Sequence, residues 1–292
     1  MNKSVFIFLV VLVLSPSLAC AQGIEFWGEN DAFYAPAPTD RFYTNGMGLR
    51  YSFSANERRQ WVLSAEHRMY NGLKNTRPQA IEDDRPYTAT LTLGATHHGF
   101  SESSSVRNTW STAFGVMGPQ AGGSAVQNGV HDLLENSSEA YGWDRQLSTM
   151  PIVQVGYQRM YFTGNNWVAL TGRFGGDLGT ANTSLSSGAD VYLGIVDRPW
   201  AARSGEQRFV RLHGSLTAQG VLYDATLQGS PFQNDPYGVS AERLENFRLL
   251  AYTGLEVQVK GVYLQAGFYW SSPELHGLDG HRYGSVGLGF FF

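Results

Sequence analysis

The chain ends on Tyr283-Gly284-Ser285-Val286-Gly287-Leu288-Gly289-Phe290-Phe291-Phe292. Val286, Leu288 and Phe290 share one parity with glycines between them, so an extended backbone sets all three on one face. An alternating strand that stops on an aromatic has two readings. It is an edge strand buried in a soluble protein, or it is the closing strand of a sheet whose apolar face meets lipid. The rest of the chain decides between them.

From residue 24 onward the dominant period is two. Met47, Leu49, Tyr51 and Phe53 alternate with Gly48, Arg50, Ser52 and Ser54. Ala89, Leu91, Leu93 and Ala95 alternate with threonines and Gly94, and Val262, Leu264, Ala266, Phe268 and Trp270 repeat the pattern. Segments of about ten residues with one apolar and one polar or small face mark a transmembrane β-barrel; a soluble sandwich also alternates. Twelve segments are readable, at roughly 24–34, 43–54, 60–70, 87–98, 107–117, 151–162, 166–176, 187–197, 207–226, 244–259, 261–271 and 282–292. An even count suits a closed single-chain barrel. The predicted fold is therefore all-β, a closed antiparallel transmembrane barrel of about twelve strands. A final strand ending in Phe resembles the assembly signal of Gram-negative outer-membrane barrels. Trp61, Tyr70, Trp167, Tyr192 and Trp270 stand near segment ends, where aromatics form interfacial girdles.

The other end of the chain agrees. Lys3, the apolar run Val5 to Leu14 and Ala19-Cys20-Ala21 are the three parts of a secretory signal. Residues 1–21 are the expected signal peptide and 22–292 the barrel domain. Cys20 also allows a lipoprotein signal, but Ser17 stands where such signals usually carry Leu. Cleavage after Ala21 removes the only cysteine, and with it any disulfide, thiol nucleophile or cysteine metal site. Without Lys3 the chain has 20 basic and 25 acidic residues, a net charge of −5, which argues against a nucleic-acid partner. Aromatics at 13% and 34 glycines fit a turn-rich β chain, and charged residues at 16% are few for a soluble domain.

With both termini periplasmic, the outer connections are roughly 35–42, 71–86, 118–150, 177–186, 227–243 and 272–281. Long outer and short inner connections are usual for such barrels. Four polar clusters then fall at one rim: Glu29-Asn30-Asp31, Thr39-Asp40-Arg41-Phe42-Tyr43-Thr44-Asn45-Gly46, Asp83-Asp84-Arg85-Pro86-Tyr87-Thr88, and Gln127 with His131. The last pair belongs to Gly118 to His131, where the strand pattern gives way to a short predicted helix. Ser124 is its expected N-cap, Val126 and Val130 its apolar row, and Gln127 and His131, four apart, share a face. A loop-packing helix with a solvated histidine is the plain alternative. Oxygen-rich side chains without cysteine suit a hard cation such as calcium, against the alternative of a solvated rim of paired charges. His97-His98 is placed in an inner turn, and no serine nucleophile or phosphate-binding glycine loop stands out.

These motifs carry a resemblance. Asn30-Asp31, Thr39 to Gly46, Asp84-Arg85-Pro86-Tyr87, Val116-Met117-Gly118-Pro119, Val126 to His131, Gly142-Trp143-Asp144 and the terminal Gly289-Phe290-Phe291-Phe292 occur in the order seen in the outer-membrane lipid A 3′-O-deacylase family, which the whole mature chain resembles. The resemblance implies a twelve-stranded outer-membrane barrel that hydrolyses, with Ca2+, the ester holding the 3′ acyloxyacyl group of lipid A. The family's catalytic histidine falls on His131, its glutamine on Gln127, its Asn-Asp pair on Asn30 and Asp31, and its threonine on Thr44. His131, Gln127, Asn30 and Thr44 are then the implied catalytic set, and Asp31, Asn30 and Thr44 the metal set. A family lysine has no clean counterpart: the ungapped position is Asn75, with Lys74 beside it. Lys74, Arg41 and Arg85 are the expected contacts to substrate, though the two arginines equally fit pairing with Asp40 and Asp84.

The mechanism expected from physics and resemblance together is water activated by His131, oriented by Gln127, with calcium polarising the carbonyl. The expected partner is lipopolysaccharide of the outer leaflet, and the expected state is a membrane-embedded monomer. Two other classes remain open: a non-enzymatic channel or structural barrel, and a barrel esterase acting on glycerophospholipids.

Overall fold

The computed structural model describes residues 22–34, 42–56, 58–72, 84–102, 105–133, 142–197 and 203–292. The expected signal segment, 1–21, lies outside them. The period-two stretches become twelve strands: β1 (Gln22–Asn30), β2 (Phe42–Asn56), β3 (Arg59–Asn71), β4 (Thr88–Phe100), β5 (Val106–Met117), β6 (Met150–Gly164), β7 (Val168–Gly179), β8 (Asn182–Ile195), β9 (Phe209–Asp224), β10 (Phe247–Val259), β11 (Val262–Ser271) and β12 (His281–Phe291). Each pairs antiparallel with its sequence neighbours, and β1 pairs with β12 to close the barrel. Main-chain bonds between Gln22 and Phe292, in both directions at 3.1 and 2.8 Å, fasten the seam at its end. Among the described residues two α-helices interrupt the pattern, α1 (Gly123–Leu133) between β5 and β6 and α2 (Ala225–Gln228) after β9.

Side-chain parity sets two environments. Leu91, Leu93, Phe114, Leu216, Leu264 and Val286 are exposed on the outer wall, as lipid contact requires. Trp61, Trp110 and Trp167 are exposed near the short-turn end and Trp270 near the long-loop end. Tyr70 and Tyr192 correct the girdle expectation, because their parity turns them inward. Tyr70 lies under the Arg85 guanidinium at 4.2 Å, and Tyr192 stacks on His213 at 4.3 Å. His97 and His98 are also strand residues, inside β4, where His98 Nδ1 meets Thr109 Oγ1 at 2.9 Å. β8 begins five residues before the expected 187, because residues 180–181 link β7 to β8 in a tight hairpin where a ten-residue loop was expected.

The lumen is crosslinked by charge. Arg211 donates from Nε and Nη2 to Glu256 at 2.9 and 2.7 Å, His213 lies between Glu256 and Asp190 at 3.0 and 3.3 Å, and Arg173 pairs with Asp190. Both ends are crossed. At the short-turn end Arg203, from the β8–β9 connection, reaches Glu25 of β1 at 2.8 Å and lies 3.8 Å over Tyr263. At the long-loop end Arg85, just before β4, binds Glu274 and Thr226, with Leu227, Leu244 and Leu275 packed nearby as an apolar plug. β4 and β9 are five strands apart in the ring, so the Arg85–Thr226 contact spans the mouth. A cavity of about 410 Å³ remains inside.

Arg211 and Glu256 are 4% and 8% exposed, whereas Arg58 and Glu102, paired at 2.9 Å, are 58% and 88% exposed. Arg211→Ala strands a buried carboxylate and is expected to cost about 3–5 kcal/mol. Arg58→Ala is expected to cost less than about 1 kcal/mol. Denaturant unfolding in detergent measures both, and equal losses would contradict the assignment of the luminal network as structural.

Candidate active site on the outer wall

The outward parity of β3 and β4 changes character at the long-loop end. Lower on the wall it carries the exposed Leu63 and Leu93; near the rim it carries His67, Met69, Asn71 and Ala89, all buried. What buries them is α1 and its flanking turns. After β5, Gly118 donates its N–H to the Ala89 carbonyl at 2.9 Å, and residues 119–121 make a 3-10 turn whose Ala121 carbonyl accepts from His67 Nε2 at 3.0 Å. Gly122 then takes φ +77°, a conformation that favours glycine, and its carbonyl accepts the Val126 N–H at 3.1 Å. Gly122, rather than the expected Ser124, is therefore the residue from which α1 starts. Gly123 allows close approach: a Cβ there would strike the Trp143 ring and come within 2.6 Å of Ala89 Cβ. Met69, Tyr87, Ala89, Ala121 and Trp143 form one apolar cluster with Val126 against it, so the helix lies on the outside of the barrel. Val130, expected in the same apolar row, is 43% exposed.

Gln127 is on the wall-facing side of α1 and buried. Its Oε1 accepts hydrogen bonds from Trp143 Nε1 at 2.8 Å and Asn71 Nδ2 at 3.0 Å. His131 follows one turn later in the same helix; only its backbone is described. Sequence reasoning quoted Trp143 without a role and missed Asn71, because an Asn followed by Gly72 reads as a turn rather than as the last residue of a strand.

The Asn-Asp pair ends β1. Asn30 Oδ1 accepts the Ala32 N–H at 2.7 Å and caps a 3-10 turn, Asp31–Phe33, whose first residue is the buried Asp31. Asn30 is paired with Asn45, and Asn45 with Met69 beneath the helix. Two strand spacings separate Asn30 from Met69, about 10 Å. Thr44 sits at a β-bulge between Tyr43 and Asn45, buried, with no hydrogen-bond partner for its Oγ1. Bulges redirect side chains at functional places.

Among the described residues, no group of three or more His, Cys, Asp or Glu is arranged to hold a metal ion. One buried carboxylate, Asp31, and one orphaned hydroxyl, Thr44, instead fit a hard cation that takes its remaining ligands from neutral oxygens and water. Asn30 has given its side-chain oxygen to the turn that carries Asp31.

Two expected substrate contacts, Lys74 and Arg41, lie outside the described residues. The third is corrected. Arg85 is buried, and its Nε, Nη1 and Nη2 donate to Glu274 Oε2, the Thr226 carbonyl and Thr226 Oγ1 at 2.8, 3.1 and 3.0 Å. It spans the mouth of the lumen instead of facing the α1 wall.

The family model for outer membrane protein LpxR matches residues 5–292. The chain belongs to that family. Among solved structures it is similar to LpxR from Salmonella typhimurium, with a TM-score of 0.82 at 21% identity over 92% of this chain and 100% of that one. The β domain of the Bordetella autotransporter BrkA follows at a TM-score of 0.49 and 9% identity, over 94% of this chain and 100% of that one. No curated protein matches the chain. The LpxR-like barrel is thus an outer-membrane protein, and the twelve-strand closure read from the sequence is the family's architecture.

Gly123 is the point at which the helix touches the wall most closely. Gly123→Val is expected to lift α1 without opening the barrel. Limited proteolysis by proteinase K should then cut the 118–142 segment sooner, while the heat-dependent gel shift of the folded barrel persists. Unchanged protection would contradict this packing.

Proposed function

We propose that this protein is an outer-membrane hydrolase that removes the 3′ ester-linked acyloxyacyl group of lipid A, with His131 as general base. The observation that carries the reading is the position of α1. It lies on the outer wall at the long-loop end, with Gln127 held against β3 and with the Asn30–Asp31 turn about two strands away. In outer-membrane barrels that end faces outside, so the site would meet the outer leaflet, where lipid A resides. Family membership supports the same activity. Charged contacts across both mouths of the lumen argue against the rival reading as an open channel.

In this reading neutral His131 accepts the proton of a water molecule as the water attacks the ester carbonyl, and returns a proton to the leaving alcohol. Gln127 holds its partner in place by a hydrogen bond. Asp31 and Thr44 would hold a calcium ion, with Asn30 fixing the turn that presents Asp31. Calcium, when bound, supplies Lewis-acid stabilisation of the developing oxyanion.

His131→Gln preserves size and polarity but does not accept a proton at neutral pH, so turnover is expected to fall roughly 10²–10⁴-fold with the heat-shifted folded band retained. The wild-type rate is expected to fall as pH drops below about 6.5, where an imidazole takes up a proton and ceases to be a base. Fatty-acid release by purified protein measures both. A folded, fully active His131→Gln variant contradicts the base assignment.

Asp31→Ala removes the charged oxygen of the cation site. It is expected to raise the calcium concentration needed for half-maximal activity and to lower the maximal rate. Wild-type activity that survives excess chelator would refute the calcium requirement.

A further inference from the structure

Arg282 is the second residue of β12 and faces away from the lumen. It shares parity with the exposed Val286, Leu288 and Phe290, and is itself exposed. Its pair on β11 is Trp270, the exposed aromatic at the long-loop end of the wall. A cation on the lipid face of a barrel is costly at the bilayer midplane and nearly free at the interface. Pairing with Trp270 places Arg282 at that interface, at the level of the headgroups. The luminal arginines Arg173, Arg203 and Arg211 each hold a carboxylate. Among the described residues no carboxylate pairs with Arg282, whose guanidinium lies 5.8 Å from the Tyr34 ring.

Tyr34 ties this arginine to the candidate site. Its N–H donates to the Asp31 carbonyl at 3.0 Å, and its ring stands edge-on to Phe268 of β11 at 5.7 Å. The turn that carries Asp31 therefore folds back over the outside of the seam. Gly284 makes room for it: a Cβ there would come within 2.5 Å of Phe33 Cβ. Gly284 is the partner of Asn30 and stands two residues from Arg282, about 7 Å along the strand. The Asp31 turn is thus flanked on the outer wall by α1 over β3 on one side and by Arg282 on the other.

We propose that Arg282 is a substrate-binding residue that holds a phosphate of lipid A on the β12 side of the Asp31 turn. The proposal rests on the deacylase reading for its substrate, and it gives Arg282 the role that the buried Arg85 does not fill. A guanidinium forks two hydrogen bonds onto a phosphate. Phe33 and Trp270, both exposed beside it, offer apolar faces to the acyl chains.

The test is lipid binding, followed by native mass spectrometry of purified protein in detergent. All variants are built on His131→Gln, and the heat-dependent gel shift reports the fold. The probes are synthetic diphosphoryl lipid A, its phosphate-free analogue and phosphatidylglycerol. Arg282→Gln is expected to weaken binding of diphosphoryl lipid A roughly tenfold or more, the usual effect of losing a hydrogen bond to a charged group. Arg282→Lys should recover part of that loss, because it keeps the charge without the fork. Binding of the other two lipids should not change. Equal affinity of the parent and Arg282→Gln for diphosphoryl lipid A overturns the proposal. So does an equal loss with the phosphate-free analogue, which removes the phosphate contact. An equal loss with phosphatidylglycerol also overturns it, by reducing Arg282 to a general headgroup anchor. The deacylase reading fails separately: wild-type protein that binds diphosphoryl lipid A through Arg282 but releases no fatty acid refutes the activity and leaves the phosphate contact standing.

Discussion

Pairing of β1 with β12 is the constraint on which the rest of this structure depends. In a bilayer no water satisfies a free strand edge, so a sheet crosses only if it closes. Eight consecutive residue pairs from Gly23–Phe291 to Asn30–Gly284 make that closure. The same seam ends at the Asn30–Asp31 turn, so the register that closes the barrel also fixes where the candidate cation ligands stand. Tyr43, next to Thr44, donates to Glu29 of β1 from within the lumen and braces this corner.

Closure divides the polar residues between two tasks. Inside, Arg211, Glu256, His213, Asp190 and Arg173 bind one another across neighbouring strands, and Arg203 and Arg85 reach across the mouths. These contacts crosslink the wall from inside around the luminal cavity. On the exterior, β3 and β4 present small or polar residues at the rim and α1 covers them, which is where the proposed function puts the chemistry.

Much of this was legible in the sequence because strand parity survives any tertiary context: an inward Arg50 between outward Leu49 and Tyr51 has one reading in a barrel. The four-residue spacing of Gln127 and His131 led to one short helix carrying both, and α1 spans both positions. Tyr70 and Tyr192 were misassigned because an aromatic near a strand end has the same composition whether it faces lipid or lumen; only parity counted from true strand limits separates them. Asn71 was missed because its Asn-Gly sequence is a turn signal that the sheet overrides. Arg85 carried two readings with the same local sequence, and its partners Thr226 and Glu274 are 141 and 189 residues away, beyond the reach of any local pattern.

The most direct test of the account is the mass of lipid A extracted from outer membranes of cells with and without the protein. The account predicts a product lighter by one 3′ acyloxyacyl group, with phosphates and the remaining chains intact, and no such product when calcium is chelated. Unchanged lipid A, or fatty-acid loss confined to glycerophospholipids, would contradict it.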